Sequence, residues 1–291
     1  MIKLFTTILM FYFFCFFSTA KAQERRGRIG VGLSVGAMNY QGDLDDNFTL
    51  VFTQPAFGVH AIALLFQRIH FRLEALHGSI SANDARASFT NNSSRNLSFF
   101  SEINEVGLHA IYSLQNRKRG FTKRNFAVPY VFTGISYFHF SPKRKINGTQ
   151  YDLQSIGTEG QYLNGNYPEP YKLTQISIPL GGGFKIRLSN NFDVGAEIGF
   201  RKTFTDYLDD VSDRYPELTK LLNQEGAIAL YLSDSSENGR ASFSKRGNPQ
   251  NNDWYVYTNI HITYYLTTTL FKQAKPKSEF KGNSCKGLFL K

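Results

Sequence analysis

Four aspartates, Asp206, Asp209, Asp210 and Asp213, fall within eight positions of the stretch TDYLDDVSDRY (205–215), in a chain whose formal net charge is +10. Carboxylates crowded this closely can hold a divalent cation, trade protons with one another, or cap a turn. Their spacing lacks the alternate positions and the loop glycine of a helix-loop-helix calcium site. DVSDRYPEL reads first as the start of a helix, with Ser212 or Asp213 as its cap, PELTKLLNQEG (216–226) as its body and Gly226 as its end. A divalent-cation site is the second reading. GDLDD (42–46) is a further, weaker acidic patch.

Two histidines stand near hydroxyls: His77 with Ser79, and His139 with Ser141. A base near a nucleophile or a carboxylate is the minimum for acyl transfer, so His77 together with the aspartates would be the place for lipid-modifying chemistry. His139 shares its face with Ile135 and Tyr137, a pattern that suits an aromatic belt better than a catalytic centre. Catalysis is not the expectation, and the sequence calls for no cofactor.

The elements that would position these groups are strands. In TQISIPLGGGFKIRL (174–188), Ile176, Ile178, Leu180, Phe184, Ile186 and Leu188 alternate with Gln175, Ser177, Gly181, Gly183, Lys185 and Arg187. NNFDVGAEIGFRKTF (190–204) repeats the pattern. A period of two makes one face oily and the other small or charged. Six more runs qualify, at 28–40, 56–66, 69–79, 97–114, 126–140 and 252–266, and most reach 11 residues or more. A soluble strand averages about 5 or 6 residues, whereas a tilted membrane strand needs about 9 to 11. The connections run roughly fifteen, two, seventeen, eleven, thirty-three, two or three, and forty-seven residues. Alternating long and short connections are the mark of outer loops and periplasmic turns.

The expected fold is therefore all-β, an eight-stranded antiparallel transmembrane barrel with long extracellular loops and both termini on the short-turn side. The expected inward set is Arg72, Glu74, Glu105, His109, Lys185, Arg187, Asp193, Glu197 and Arg201. An eight-stranded barrel is barely wide enough for its own side chains, which makes a packed ion-pair network the first reading and a proton path or narrow pore the second.

The ends set the compartment. Lys3, the apolar run Leu4–Phe17 and the small residues of AKA (20–22) read as a signal peptide over 1–22. The run is too short for the roughly 20 residues of a membrane-spanning helix. Cleavage would leave Cys285 as the one cysteine, which excludes an internal disulfide or a thiolate metal site. Residues 23–267 then form the barrel and 268–291 a basic periplasmic tail. QNRKRGFTKRN (115–125) carries five basic residues and the tail six lysines against Glu279, so the basicity is local. Lysines in a tail and a turn, apart from the strand aromatics, do not make a nucleic-acid surface. They suit periplasmic partners, while membrane lipids and lipopolysaccharide meet the barrel and its acidic loops, where a cation would bridge phosphates.

YQGDL (40–44), PYVFTGISYFHF (129–140), SIPLGGGFK (177–185), TDYLDDVSDRYPE (205–217) and RGNPQNNDWYVYTNI (246–260) together resemble a domain of unknown function found in outer-membrane β-barrels of Bacteroidetes. The resemblance spans the chain to about Leu266 and implies the barrel and the cell outer membrane, without an activity or assigned site residues. One branch of similar barrels is the outer-membrane component of the type IX secretion machinery. The expected function is thus structural or interactive in the cell envelope, with a part in protein secretion as the runner-up and a lipid-modifying enzyme third.

Overall fold

A computed structural model describes residues 28–45, 49–86, 93–115, 121 and 124–269. The expected signal peptide, Cys285, nearly all of the tail and most of the basic turn lie outside the described residues. The strands are β1 (Arg28–Gln41), β2 (Gln54–Leu64), β3 (Ile69–Asn83), β4 (Ser98–Ser113), β5 (Ala127–Ile146), β6 (Thr149–Asp152), β7 (Thr174–Arg187), β8 (Phe192–Thr203) and β9 (Trp254–Thr269). Two helices, α1 (Leu153–Ile156) and α2 (Leu218–Ser233), lie in the connections. All pairings between strands are antiparallel, in the order β4-β3-β2-β1-β9-β8-β7-β5, and a β4–β5 pairing closes the circle. Eight strands form the barrel, and β6 hangs from the outer end of β5 alone.

The register fixes the tilt. From Thr174 the paired residues run through His139, Asn104, His77, Phe57, Val35, Ile260 and Ala196 and return to β7 at Phe184, ten residues from the start. A shear of ten on eight strands implies a tilt of about 40° and an interior filled by side chains.

Each strand puts apolar side chains outward. Leu33, Phe57, Leu73, Leu108, Ile135, Leu180, Ile198 and Ile260, one from every barrel strand, are exposed, and Leu33, Leu180 and Ile260 reach about 60%. The opposite parity faces a lumen that holds Arg72, Glu74, Glu105, His109, Glu197 and Arg201, all at least 96% buried. Glycines make the room: a Cβ on Gly32 would run into the His60 ring, one on Gly195 into His261, and one on Gly199 into the Arg201 guanidinium. The glycine-rich parity is thus the face where long polar side chains cross a narrow bore.

Two expectations about the connections are corrected. Residues 141–146 continue β5 beyond the expected end at 140, and Asn147-Gly148, both at positive φ (48° and 87°), turn the chain back into β6. Asn-Gly is the strongest short hairpin signal, so this ribbon was readable in INGT (146–149). The helix expected over 216–226 begins at Leu218, after Glu217, and neither Ser212 nor Asp213 caps it; the Leu218 N–H donates to the Ser242 hydroxyl. Gly226 (φ 88°) breaks the helix without ending it, and the chain resumes helical turns to Ser233. Leu221, Ala229 and Leu232 are buried from either side of the break, and that burial is what carries the helix past it.

Candidate functional site: a charged lumen beneath a folded cap

The lumen network is built on two arginines. Arg72 grips Glu197 with two bonds (2.8 and 3.0 Å) and lies 3.6 Å from Glu74. Arg201 lies 3.5 Å from Glu105 and 3.7 Å from Glu74, so Glu74 links the two halves. His109 sits between Arg72 (3.1 Å) and Glu74 (3.5 Å), stacked on Phe132. Hydroxyls and amides complete the carboxylates: Tyr130 (2.7 Å) and Asn259 (3.2 Å) donate to Glu197, and Tyr255 (2.6 Å) donates to Glu105. Glu197, with a bidentate arginine and two further donors, is the best satisfied of the three carboxylates, whereas Glu74 and Glu105 each keep one oxygen without a hydrogen-bond partner.

Most of the expected inward set comes together here, with three members at the inner end. Asp193 binds Arg124 (2.6 Å), Lys185 lies 6.0 Å from the Tyr130 ring, and half-buried Arg187 pairs in register with Asp193. Sequence reasoning missed His60, His70, Tyr130, Asn259 and His261, although their parity in 56–66, 69–79, 126–140 and 252–266 gives their direction.

Arg124 is the one cation of the basic turn among the described residues, and it turns inward. It is 8% exposed, donates to the Ser189 and Asn190 carbonyls and to Asp193, and lies 4.3 Å over Phe121. Arg28 covers the same ring at 4.1 Å, and Tyr265 meets its edge. These groups form a floor under the inner end of the bore.

At the outer end the loops fold into a cap that shares one apolar core with the barrel. Leu44 and Phe52 from the first loop, Leu97 from the second, Leu153 and Tyr171 from the third and Leu208, Val211 and Leu232 from the fourth pack with Met38, Ile103, Phe138, Phe140 and Tyr257. Two buried arginines tie the loops together. Arg95 binds Asp84 with two 2.8 Å bonds and donates to the Asp43 and Arg246 carbonyls. Arg246 binds Glu159 (3.0 Å) and lies 3.7 Å from Asp210.

The stretch 205–213 runs through the middle of this cap, which changes how its aspartates read. Asp210, at positive φ (67°), accepts from Thr158 (2.5 Å) and Tyr171 (2.7 Å). Burial lifts its carboxyl to about 6 against the opposing pull of Arg246, and burial lifts Asp206 to about 8, with Asp43 and Glu159 adding their charge. Asp209 accepts from Tyr40 and from the Val211 N–H. Asp213 lies outside, half exposed, 3.7 Å from exposed Arg214. The four therefore do not converge, and among the described residues no group of three or more His, Cys, Asp or Glu has the geometry to hold a metal ion. The missed partners are Arg95, Glu159, Arg246 and Asp253, which sit in aperiodic loops up to about 200 residues away from the atoms they touch.

The histidines stand apart from these acids. His77 and His139 are on the outer wall, bonded to Asn104 (2.9 Å) and Thr174 (3.0 Å) in one register row. Asp206, Asp209 and Asp210 are inside the cap, so His77 does not meet the loop aspartates as lipid-modifying chemistry there would require.

The model of a family described as "Domain of unknown function (DUF6089)" matches residues 3–224. No curated protein matches the chain. Among solved structures, the chain is similar to the N-terminal β-barrel domain of Pseudomonas aeruginosa OprF (11% identity, 82% of this chain and 99% of that one, TM-score 0.34). It is also similar to Ail, the attachment invasion locus protein of Yersinia pestis (7%, 83% and 100%, TM-score 0.38), and to Neisserial surface protein A (8%, 81% and 96%, TM-score 0.37).

Proposed function

The chain belongs to the family described as a domain of unknown function (DUF6089), and for this member we propose a closed outer-membrane barrel that serves as a scaffold in the cell envelope. One observation carries the reading: an exposed apolar belt on all eight barrel strands surrounds a charged lumen. In water that arrangement would expose the oily face and bury the ions, the reverse of what a soluble barrel needs, whereas in lipid it is the stable one. Strands of 11 to 20 residues are long enough to span, and the excess of β5 projects outward with β6.

A scaffold suits the bore better than a conduit does. The cap core closes one end, Arg124 with Phe121 and Tyr265 the other, and the ion pairs fill the space between. Among the described residues the surface left for partners is the cap, where Leu222, Ile228, Tyr231 and Phe243 are exposed. Lipid and lipopolysaccharide are the neighbours of the wall.

The test is to fold the full chain into lipid vesicles and compare it with Val35→Arg. Val35 lies midway along the outward face of β1, and a cation there costs about 2–4 kcal/mol near the bilayer midplane. Urea unfolding in vesicles should register that loss, together with heat-modifiable gel migration of the unmodified protein. An unchanged midpoint would remove the belt from the lipid, and steady conductance across a planar bilayer would contradict the closed scaffold.

A further inference from the structure

We propose that Asp253 carries a proton at neutral pH and donates it to Tyr40, which makes Asp209, Tyr40 and Asp253 a shared-proton latch between cap and barrel. The hydrogen count carries the proposal. The Tyr40 Oη lies 2.6 Å from Asp209 Oδ2 and 3.1 Å from Asp253 Oδ1. A phenol has one hydrogen to give. The shorter contact takes it, so the longer one is a hydrogen bond only when Asp253 is an acid whose O–H points at the phenol oxygen. Otherwise two bare carboxylates and a phenol oxygen crowd together in a buried space.

The three groups are buried together. Tyr40, Asp209 and Asp253 are 1%, 1% and 0% exposed. The remaining oxygens are already taken: the Val211 N–H donates to Asp209 Oδ1 and the Leu208 N–H to Asp253 Oδ2, each at 2.9 Å. Gly42 closes the third side, where a Cβ would collide with both Asp253 Oδ1 and Tyr40 Oη.

The charges facing the latch come from three loops: Asp43 from the first, Arg95 from the second and Asp206 from the fourth. Arg95 is bound to Asp84, and its pull on Asp209 is outweighed by burial and by Asp43. Burial first and the Asp209 charge second push Asp253 well above the usual carboxyl range, and burial followed by Asp43 does the same to Asp209.

A carboxyl whose folded pKa is raised adds stability below its unfolded value of about 4, and that stability is lost as pH rises through the folded value. The latch therefore holds the cap in acid and neutral surroundings and releases it in alkali. Asp206 and Asp210 titrate in the same direction, so the test must single out Asp253.

The full chain in detergent micelles is compared with Asp253→Asn by infrared difference spectroscopy at pH 7. The variant should lose an acid carbonyl band; loss of a carboxylate band instead overturns the proposal. Hydrogen exchange over 205–213, corrected for the intrinsic rate, should speed up tenfold or more between pH 7 and pH 10. Asp253→Asn, whose amide can still donate to Tyr40, should move that midpoint upward. Tyr40→Phe, which removes the oxygen between the two acids, should move it downward and serves if the asparagine variant does not fold. A midpoint unchanged in both variants overturns the latch.

Discussion

The lumen and the cap both bury arginines against carboxylates, yet they do so by different routes. In the lumen, Arg72, Glu74, Glu197 and Arg201 project from rigid strands whose register sets every distance. In the cap, Arg95 and Arg246 stand on irregular backbone, and their partners come from loops that the barrel merely brings near each other. Lumen charges are thus positioned by the sheet itself. The cap charges, by contrast, help to position the loops that carry them.

Removing one partner from each network should expose this difference. Arg72→Ala leaves Glu197 buried without its cation and Glu74 with only its longer contact to Arg201, a loss on the order of 3–5 kcal/mol. Because the network joins several strands, the loss should be global, seen as a lower urea midpoint for the whole barrel in vesicles. If only local exchange quickened, the lumen pairs would not be holding the strands together.

Arg246→Ala breaks a buried pair of similar kind, but the consequence should stay above the barrel. Trypsin should reach the fourth loop near Lys220, Arg240 or Lys245 at least tenfold faster, an opening free energy lower by about 1.4 kcal/mol or more. Heat-modifiable migration of the barrel should persist. Collapse of the barrel would show cap and lumen to be one cooperative unit, as their shared apolar core allows.

The smallest effect belongs to the one member of the acidic stretch that faces water. Asp213→Ala breaks only an exposed pair with Arg214, worth about 0–0.5 kcal/mol. Trypsin susceptibility and urea midpoint should both match those of the unmodified chain. A loss comparable to that of Arg246→Ala would mean that Asp213 does more than its exposed position accounts for.

The two regions also differ in how far the chain alone reveals them. Parity in 174–188 and 190–204 points Lys185, Glu197 and Arg201 away from the apolar face, because a strand has only two sides. The same rule applies to His60 and His261, whose facing glycines Gly32 and Gly195 are a second signal. The Asn147-Gly148 turn was equally readable, since positive φ at two successive positions demands those residue types.

By itself the sequence determined the alternation, the even strand number, the long and short connections and the inward charges, because a two-residue period and a closed circle leave few alternatives. Only the tertiary structure decided what the aspartates of TDYLDDVSDRY do. Their partners, Tyr40, Thr158, Tyr171 and Arg246, are joined to them by closure of the barrel and descent of the loops, and no local period encodes such contacts. Burial in that cap took three of the four out of water, gave Asp209 and Asp210 their hydrogen-bond donors and left Asp213 exposed.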